Sequence, residues 1–343
     1  MTQLSTLNTQ KIDLNFGLFN AENLFLLFDH SLPENFKSLS ENQWQKLSSS
    51  VYENKSLQKC LQIADMIKKN NPDILMLCEV GGLESLNNFN ALFLDSQYSV
   101  ALIEGNSDRH IDVGFLIKKN HPFYFDLATN KNRPLHFLYP HENLSQKTGY
   151  PVKSNSQLFS RDCAELRLFT TNREQPFLVI LLTHLKSRLD PERIDPGGTE
   201  RRTAELRTAI DIYNELHKTL PNTPIIFAGD MNGFAGAPQT DPEFTCIYSE
   251  TSLRDVLEVS QVSLDKRSTF FQIKAGGRSE GRQIDYVFLP VELHNHVKPK
   301  SSYTYSFTDA FGLPLPDPRT LDEKIKRPSD HYPIFFTLEN IKI

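Results

Sequence analysis

Apolar positions along this chain fall into runs of two kinds, and one ordered pair of them occurs twice. Over 56–69, Leu57, Cys60, Leu61, Ala64 and Ile67 recur at helical spacing, Asn70-Asn71-Pro72 ends the periodicity, and 73–80 follows as a continuous apolar run carrying Glu79. Over 203–220, Leu206, Ala209, Ile210, Tyr213 and Leu216 repeat the spacing, Pro221-Asn222-Thr223-Pro224 ends it, and 225–228 leads into Gly229-Asp230. The two segments read as related helix-then-strand units. Further strands are predicted at 14–20, 111–117, 163–169, 177–184, 284–289 and 332–338. Several are almost wholly apolar, as expected of sheets covered on both faces. Strands succeed one another without helices around 161–184 and again near the C-terminus. That disfavours a simple doubly wound sheet and favours two packed sheets with flanking helices. Irregular stretches at 30–50, 127–160 and 298–327 are long enough to be functional or mobile, and the last leads directly into Asp330 and His331.

The polar residues that close these runs carry the candidate chemistry. Glu79 and Asp230 end apolar strands, Asp230 continues into Met231-Asn232-Gly233, and Ser329-Asp330-His331 opens the last strand. Carboxylates, an amide and an imidazole at strand ends suit metal-assisted phosphoester hydrolysis, in which a hard cation and an activated water meet one phosphate. Alone, Asp230 to Gly233 reads equally well as a plain turn, and Ser329 to His331 as a polar lead-in. Asp285 lies within the apolar run Ile284 to Phe288, where a carboxylate needs a partner, and a histidine would serve. His184 closes the apolar run 177–183 and precedes Leu185-Lys186-Ser187-Arg188, so its imidazole sits at a sheet edge beside positive charge. Asn20 and Glu22 follow the first strand. Arg161 could grip phosphate in fork geometry or simply pair with Asp162. Asp112 could orient an imidazole or merely begin a strand, and Arg201 and Glu205, spaced i, i+4, read as a surface pair.

Composition narrows the classes. The chain of 343 residues has ordinary apolar content and no low-complexity tract, so residues 1–343 are expected to form a single domain. Its polar start lacks a signal-peptide pattern, and no apolar run approaches the roughly 20 residues of a bilayer-spanning helix, which together predict a cytoplasmic protein with no integral membrane segment. Cys60, Cys78, Cys163 and Cys246 lie far apart and read as reduced packing residues. A formal net charge of -5 argues against a generally basic nucleic-acid binder, yet leaves room for a nuclease, because a bound cation supplies local positive charge. Nothing here sets the oligomeric state.

Taken in order, Phe19-Asn20-Ala21-Glu22-Asn23-Leu24, Asp73 to Glu79, Ile111-Asp112-Val113, Thr183-His184-Leu185-Lys186-Ser187, Gly229-Asp230-Met231-Asn232, Ile284-Asp285-Tyr286 and Ser329-Asp330-His331 resemble the endonuclease/exonuclease/phosphatase superfamily. The resemblance implies an α/β fold, the DNase I-like four-layer sandwich of two packed mixed β-sheets with helices outside. It also implies a Mg²⁺- or Mn²⁺-dependent hydrolase with its site at one edge of the sandwich. By the same resemblance, Glu79 would be the main metal carboxylate, with Asn20, Glu22 and Asp330 near the ion. His331, oriented by Asp285, would act on the attacking water or the scissile phosphate. Asp230 and Asn232 would position water and phosphate, while His184 and Arg161 would contact phosphate oxygens. A histidine at 184, where apurinic-site endonucleases of this family carry Asn, is closer to the DNase I and sphingomyelinase branches. Gly233-Phe234 after the Asp-x-Asn unit disfavours the inositol polyphosphate 5-phosphatases. The expected partner is a phosphodiester, with nucleic acid foremost. The alternatives are a phospholipid or phosphoinositide phosphoesterase, with Phe307, Phe311 and Leu313 supplying an apolar rim, and a binding module that kept the fold without catalysis.

Overall fold

The computed structural model describes residues 10–148, 156–170, 173, 175–190 and 193–343. The polar start at 1–9 and part of the 127–160 stretch lie outside the described residues. Each predicted helix-then-strand unit becomes a crossover between two parallel strands. Lys11–Leu24 and Ile74–Val80 pair in parallel around the helix Leu57–Asn70, and Leu178–His184 and Ile225–Asp230 do so around the helix Thr199–Thr219. The first helix starts where the Ser56 hydroxyl accepts the Lys59 N–H. It stops at Asn71, which adopts the left-handed conformation just before Pro72. Its buried face also takes in Ile63 and Met66, so it is wider than the sequence pattern suggested.

Antiparallel strands extend each parallel pair to six strands. The first sheet runs Tyr303–Thr304, Ile334–Lys342, Lys11–Leu24, Ile74–Val80, Asp112–Lys118, Tyr98–Ala101. The second runs Arg254–Asp255, Asp285–Leu289, Ile225–Asp230, Leu178–His184, Cys163–Phe169, Tyr124–Ala128. Alternation within the strands creates the layers. Phe16, Leu18, Met76 and Cys78 meet Leu166, Ile180, Leu182 and Ala228 between the sheets. Leu75 and Leu77 face outward to the Leu57–Asn70 helix, and Val179, Leu181 and Phe227 to the Thr199–Thr219 helix. The result is the expected helix, sheet, sheet, helix sandwich. Among the described residues, no helix is long and apolar enough to cross a membrane, and all four cysteines are buried and free.

The irregular stretches carry more structure than their composition implied. Residues 30–50 include the short helix Glu41–Gln45, whose Trp44 is fully buried with its indole N–H on the Lys55 carbonyl. The helix Pro140–Thr148 lies in the second stretch and the strand Tyr303–Thr304 in the third. One backbone position governs how the two site-bearing strands of the second sheet close up. Gly229 has φ +148°, and a Cβ there would lie 1.8 Å from the Thr183 carbonyl oxygen of the adjacent strand. Gly229→Ala is therefore expected to cost about 3 kcal/mol or more, read as a lower midpoint in chemical denaturation.

Candidate active site

The parallel strands of both sheets end at the same edge of the sandwich, and strand register assembles the polar row there. His184 lies opposite Asp230, and Asp230 opposite Asp285, so three neighbouring strands of the second sheet present these side chains together. The first sheet contributes Asn20, whose Nδ2 donates to Asp230 Oδ2 at 3.0 Å and ties the two sheets at this edge. The Ser329 hydroxyl donates to the Asn20 carbonyl (2.8 Å) and accepts the His331 N–H (3.0 Å), which brings the turn before Ile334–Lys342 over the row.

Two bulges aim the acids. The pairing of Lys11–Leu24 with Ile74–Val80 slips between Asn20 and Leu24, and that of Ile74–Val80 with Asp112–Lys118 slips between Leu77 and Val80. At these slips Glu22 (φ 49°) and Glu79 (φ 59°) adopt the left-handed region, which non-glycine residues rarely occupy. Both side chains turn into one cavity of about 440 Å³, which His184, Asp230, Asn232, Asp330 and His331 also line. Asn232 is likewise left-handed, at φ 53°, a conformation asparagine tolerates. Its N–H reaches Asp230 Oδ1 (2.8 Å) and its Nδ2 the Leu185 carbonyl (3.1 Å).

Charge is arranged around two imidazoles of opposite character. His331 Nδ1 donates to Asp285 Oδ2 at 2.8 Å, and its Nε2 lies 3.8 Å from both Asp230 and Asp330. Burial alone would lower its pKa, but Asp285, Asp330 and Asp230 outweigh that and hold the imidazole cationic, well above the ordinary histidine value. His184 is the reverse, pushed well below the usual value by burial and then by the charges of Arg161 and His331. Its Nε2 lies 3.5 Å from Asp230 and 4.0 Å from Glu79. Burial and the Asp285 charge push the Asp230 carboxyl up to about 7. Burial also opposes ionisation of Asp330, yet His331, Lys324 and Lys55 together hold it below the usual carboxylate range. A neutral imidazole, a cationic imidazole and the Asp230 carboxyl thus share one hollow, in which Asp230 is the group poised to exchange a proton close to pH 7.

Solved structures match the chain along nearly its whole length. An endonuclease/exonuclease/phosphatase family protein from Bacteroides thetaiotaomicron matches with a TM-score of 0.56 and 16% identity, covering 97% of this chain and 96% of that one. The human Nocturnin catalytic domain with bound sulfate matches with a TM-score of 0.56 and 15% identity, covering 97% and 96%. Truncated Caenorhabditis elegans TDP2 gives 0.54 and 16%, covering 95% and 98%. This chain has the DNase I-like fold of the endonuclease/exonuclease/phosphatase superfamily. No family model matches it by sequence, and no curated protein does.

Within this DNase I-like fold, Glu22, Glu79, His184, Asp230, Asn232, Asp330 and His331 converge on the cavity, while Asn20, Asp285 and Arg161 stand behind its wall. Arg161 is buried and donates to Ser160 Oγ rather than pairing with Asp162. Asp162 instead accepts from Thr129 Oγ1 (2.7 Å) and the Asn130 N–H (2.9 Å). Asp112 orients no imidazole; its carboxylate holds the Gly105 N–H at 2.7 Å. Lys186 turns its ammonium to the Ser187 and Leu189 carbonyls, whereas Arg188 does line the cavity. Glu205 is not half of a surface pair. It is fully buried, 3.5 Å from Arg201 Nε, and accepts the backbone N–H groups of Ser160 (2.8 Å) and Lys186 (2.6 Å). It thereby anchors the segments that carry Arg161 and His184 to the Thr199–Thr219 helix.

Other residues at the site had no role in the sequence reading. Arg109 lines the cavity 3.7 Å from Glu79. The available signal was its place in a charged run just before the strand Asp112–Lys118, which pairs antiparallel with the Glu79 strand and so begins at the edge where that strand ends. Lys55 and Lys59 approach Glu22 at 3.7 and 3.5 Å, and Lys324 approaches Asp330 at 3.3 Å. Phe270, Gln272 and Arg282 also line the cavity, and their Gly276-Gly277 turn was a readable hairpin signal.

Asp162 offers a pH test of this scaffold. Burial raises its carboxyl to about 6, so the unionised form is favoured in the folded state. The associated stability is complete below the unfolded value near ~4 and is lost as pH rises through about 6. Between pH 4 and 8 the wild type should therefore lose ~2 kcal/mol relative to Asp162→Asn, measured as the difference between their denaturation midpoints.

Proposed function

We propose that this chain is a divalent-metal-dependent phosphodiester hydrolase acting on nucleic acid, DNA or RNA, and that residues 1–343 form one endonuclease/exonuclease/phosphatase domain. The observation that carries this reading is the His331–Asp285 pair at 2.8 Å, with His331 Nε2 3.8 Å from both Asp230 and Asp330, in a cavity that Glu22 and Glu79 also line. The carboxylates of Glu22, Glu79 and Asp330 are the oxygen donors that suit Mg²⁺ or Mn²⁺, and Glu22 Oε2, buried with no hydrogen-bond partner among the described residues, meets the ammonium groups of Lys55 and Lys59 at 3.7 and 3.5 Å. Glu79, with Glu22 and Asp330, would hold the ion, while Asn20, expected as a further ligand, takes the Glu22 N–H on its Oδ1 at 3.0 Å and would position that turn from behind the wall. A bound divalent cation polarises phosphoryl oxygens and acidifies water. Asp230, Asp285 and His331 also bring ligand atoms within 4.8 Å of one another. There, however, His331 Nδ1 is taken by Asp285, and Asp230 already accepts from Asn20 and the Asn232 N–H.

The remaining roles follow from protonation state and position. Asp230, near neutrality in its pKa, is the group suited to take a proton from the attacking water, with Asn232 beside it. His331 brings positive charge to the phosphate and is kept in that state by Asp285. Neutral His184 donates to a phosphate oxygen, and buried Arg161 supplies positive potential from behind it. These groups offset charge that builds in an in-line transition state. Arg109 and Arg188 line the same cavity, so guanidinium groups meet a bound phosphate there despite the net charge of the chain. One structural neighbour, TDP2 of D. rerio, is described in complex with a single-strand DNA product, which supports a nucleic-acid substrate here. Four free cysteines agree with a cytoplasmic setting.

A phospholipid phosphoesterase is the second reading, supported by Phe311 and Leu313, which are 90% and 63% exposed in the segment before Asp330. Phe307, expected beside them, is instead buried against Phe19 and Tyr332. Incubation with plasmid, single-stranded DNA and RNA separates the readings. Cleavage that needs Mg²⁺ or Mn²⁺ and stops with chelator is expected. Intact nucleic acid alongside hydrolysis of liposomal substrate would select the lipid reading.

A further inference from the structure

One wall of the cavity has no part in the chemistry proposed above. A hairpin of Phe270–Lys274 and Arg278–Arg282 pairs Phe270 with Arg282 and Gln272 with Glu280. Strand alternation turns Phe270, Gln272 and Arg282 to the cavity, while Phe271 packs into the core against Tyr332. The Phe270 ring centroid lies 5.3 Å from that of His331, so this wall adjoins the place where the scissile phosphate would sit. Phe234 completes it, with the Arg282 guanidinium 5.4 Å above the ring centroid. Two buried atoms of the wall meet no hydrogen-bond partner: Arg282 Nε, a donor, and Gln272 Oε1, an acceptor. Buried polar atoms are rarely left unpaired, so a ligand that brings one acceptor and one donor would complete the wall.

We propose that this wall is a nucleobase subsite, which selects the nucleotide unit next to the scissile phosphate. The inference rests on the nucleic-acid reading of the same site. A base that lies edge-on to the Arg282 guanidinium sits beside Phe234, an aromatic ring of the same wall. Arg282 Nε donates to a ring nitrogen or carbonyl oxygen, and Gln272 Oε1 accepts from an exocyclic amino group. Uracil and thymine offer the same pair through N3–H and a ring carbonyl, so the wall holds any of the bases above a bare sugar phosphate. Other occupants fit less well. A choline-type headgroup would meet Arg188 and Arg282 as like charges, an acyl chain would leave both polar atoms unpaired, and a bare sugar has no plane to stack. A cavity of about 440 Å³ is at the small end of ligand sites and suits one nucleotide unit.

Calorimetric titration of the full chain, with chelator present to prevent turnover, tests this with AMP, CMP, UMP and ribose 5-phosphate as probes. AMP, CMP and UMP should each bind about tenfold more tightly than ribose 5-phosphate, the size of one base-stacking contact. Arg282→Ala should remove most of that increment, and Gln272→Ala a smaller part of it. Equal affinity of the wild type for all four probes overturns the subsite, as does absence of binding to any of them or an increment that survives both substitutions. The wild-type comparison decides the matter even where a variant folds poorly. Equal binding while nucleic acid is still cut removes the subsite and leaves the hydrolase reading. Base-dependent binding with nucleic acid left intact does the reverse.

Discussion

Replacing His331 by glutamine is expected to lower kcat on any accepted phosphodiester by roughly 10²–10³-fold, the usual cost of removing one group aimed at charge that develops in the transition state. Glutamine is the informative substitution because it retains a hydrogen-bond donor for Asp285. Alanine would leave that carboxylate buried, 2% exposed, with neither the charge nor the bond that now compensates it. Uncompensated buried charge costs about 3–5 kcal/mol, so loss of activity in His331→Ala mixes chemistry with unfolding. For His331→Gln the melting transition should stay close to that of the wild type while kcat falls and KM changes little. A fall in KM-dependent binding with kcat intact would reassign His331 from chemistry to substrate holding.

Glu79→Gln carries the second large effect, on a different readout. The side chain keeps its shape and its bulge but loses the negative charge that Glu79 brings to the cavity. Affinity for Mn²⁺ should drop by about 100-fold or more, since even the supporting partners of metal ligands are worth 10–100-fold. Turnover should fall with it and recover in part at high metal concentration. Calorimetric Mn²⁺ titration of the two proteins checks this without reference to activity. Unchanged Mn²⁺ affinity would place the ion elsewhere, the Asp230–Asp285 side of the cavity being the next oxygen-rich position. Loosening of Arg109, 3.7 Å from Glu79, is a smaller expected consequence, because that pair is partly exposed.

The sandwich was legible because its strands are covered on both faces and therefore read as apolar runs ending abruptly in polar residues. The strand 163–169 falls where the pattern places it, and the two crossover helices show the predicted faces. The convergence of Glu79, His184, Asp230 and His331 was legible for the same reason: strands of one sheet that run parallel end at a common edge. Features that depend on an unseen neighbour were not. A bulge leaves no mark in composition, so nothing announced that Glu22 and Glu79 would turn into the cavity. Glu205 looked like a helix-surface partner of Arg201 because helical spacing reports only the helix's own face, whereas the residue is held by backbone N–H groups of two other segments. Lys55 neutralises Glu22, an acid far away in sequence. The hairpin of Gln272 and Arg282 alternates polar and apolar residues too mildly to stand out beside the buried strands, and Phe307 and Phe311, four residues apart, have opposite exposure for reasons of tertiary packing alone.

The most direct measurement is turnover of bis(4-nitrophenyl) phosphate by the purified wild-type chain with Mg²⁺ or Mn²⁺, with excess chelator, and again after the metal is restored. Nitrophenolate release that requires the ion, stops with chelator and returns on readdition is the predicted result. Release that ignores chelator, or none under any metal condition from this chain or on nucleic acid, would contradict a metal-dependent phosphodiesterase built on Glu79, Asp230, His184 and His331.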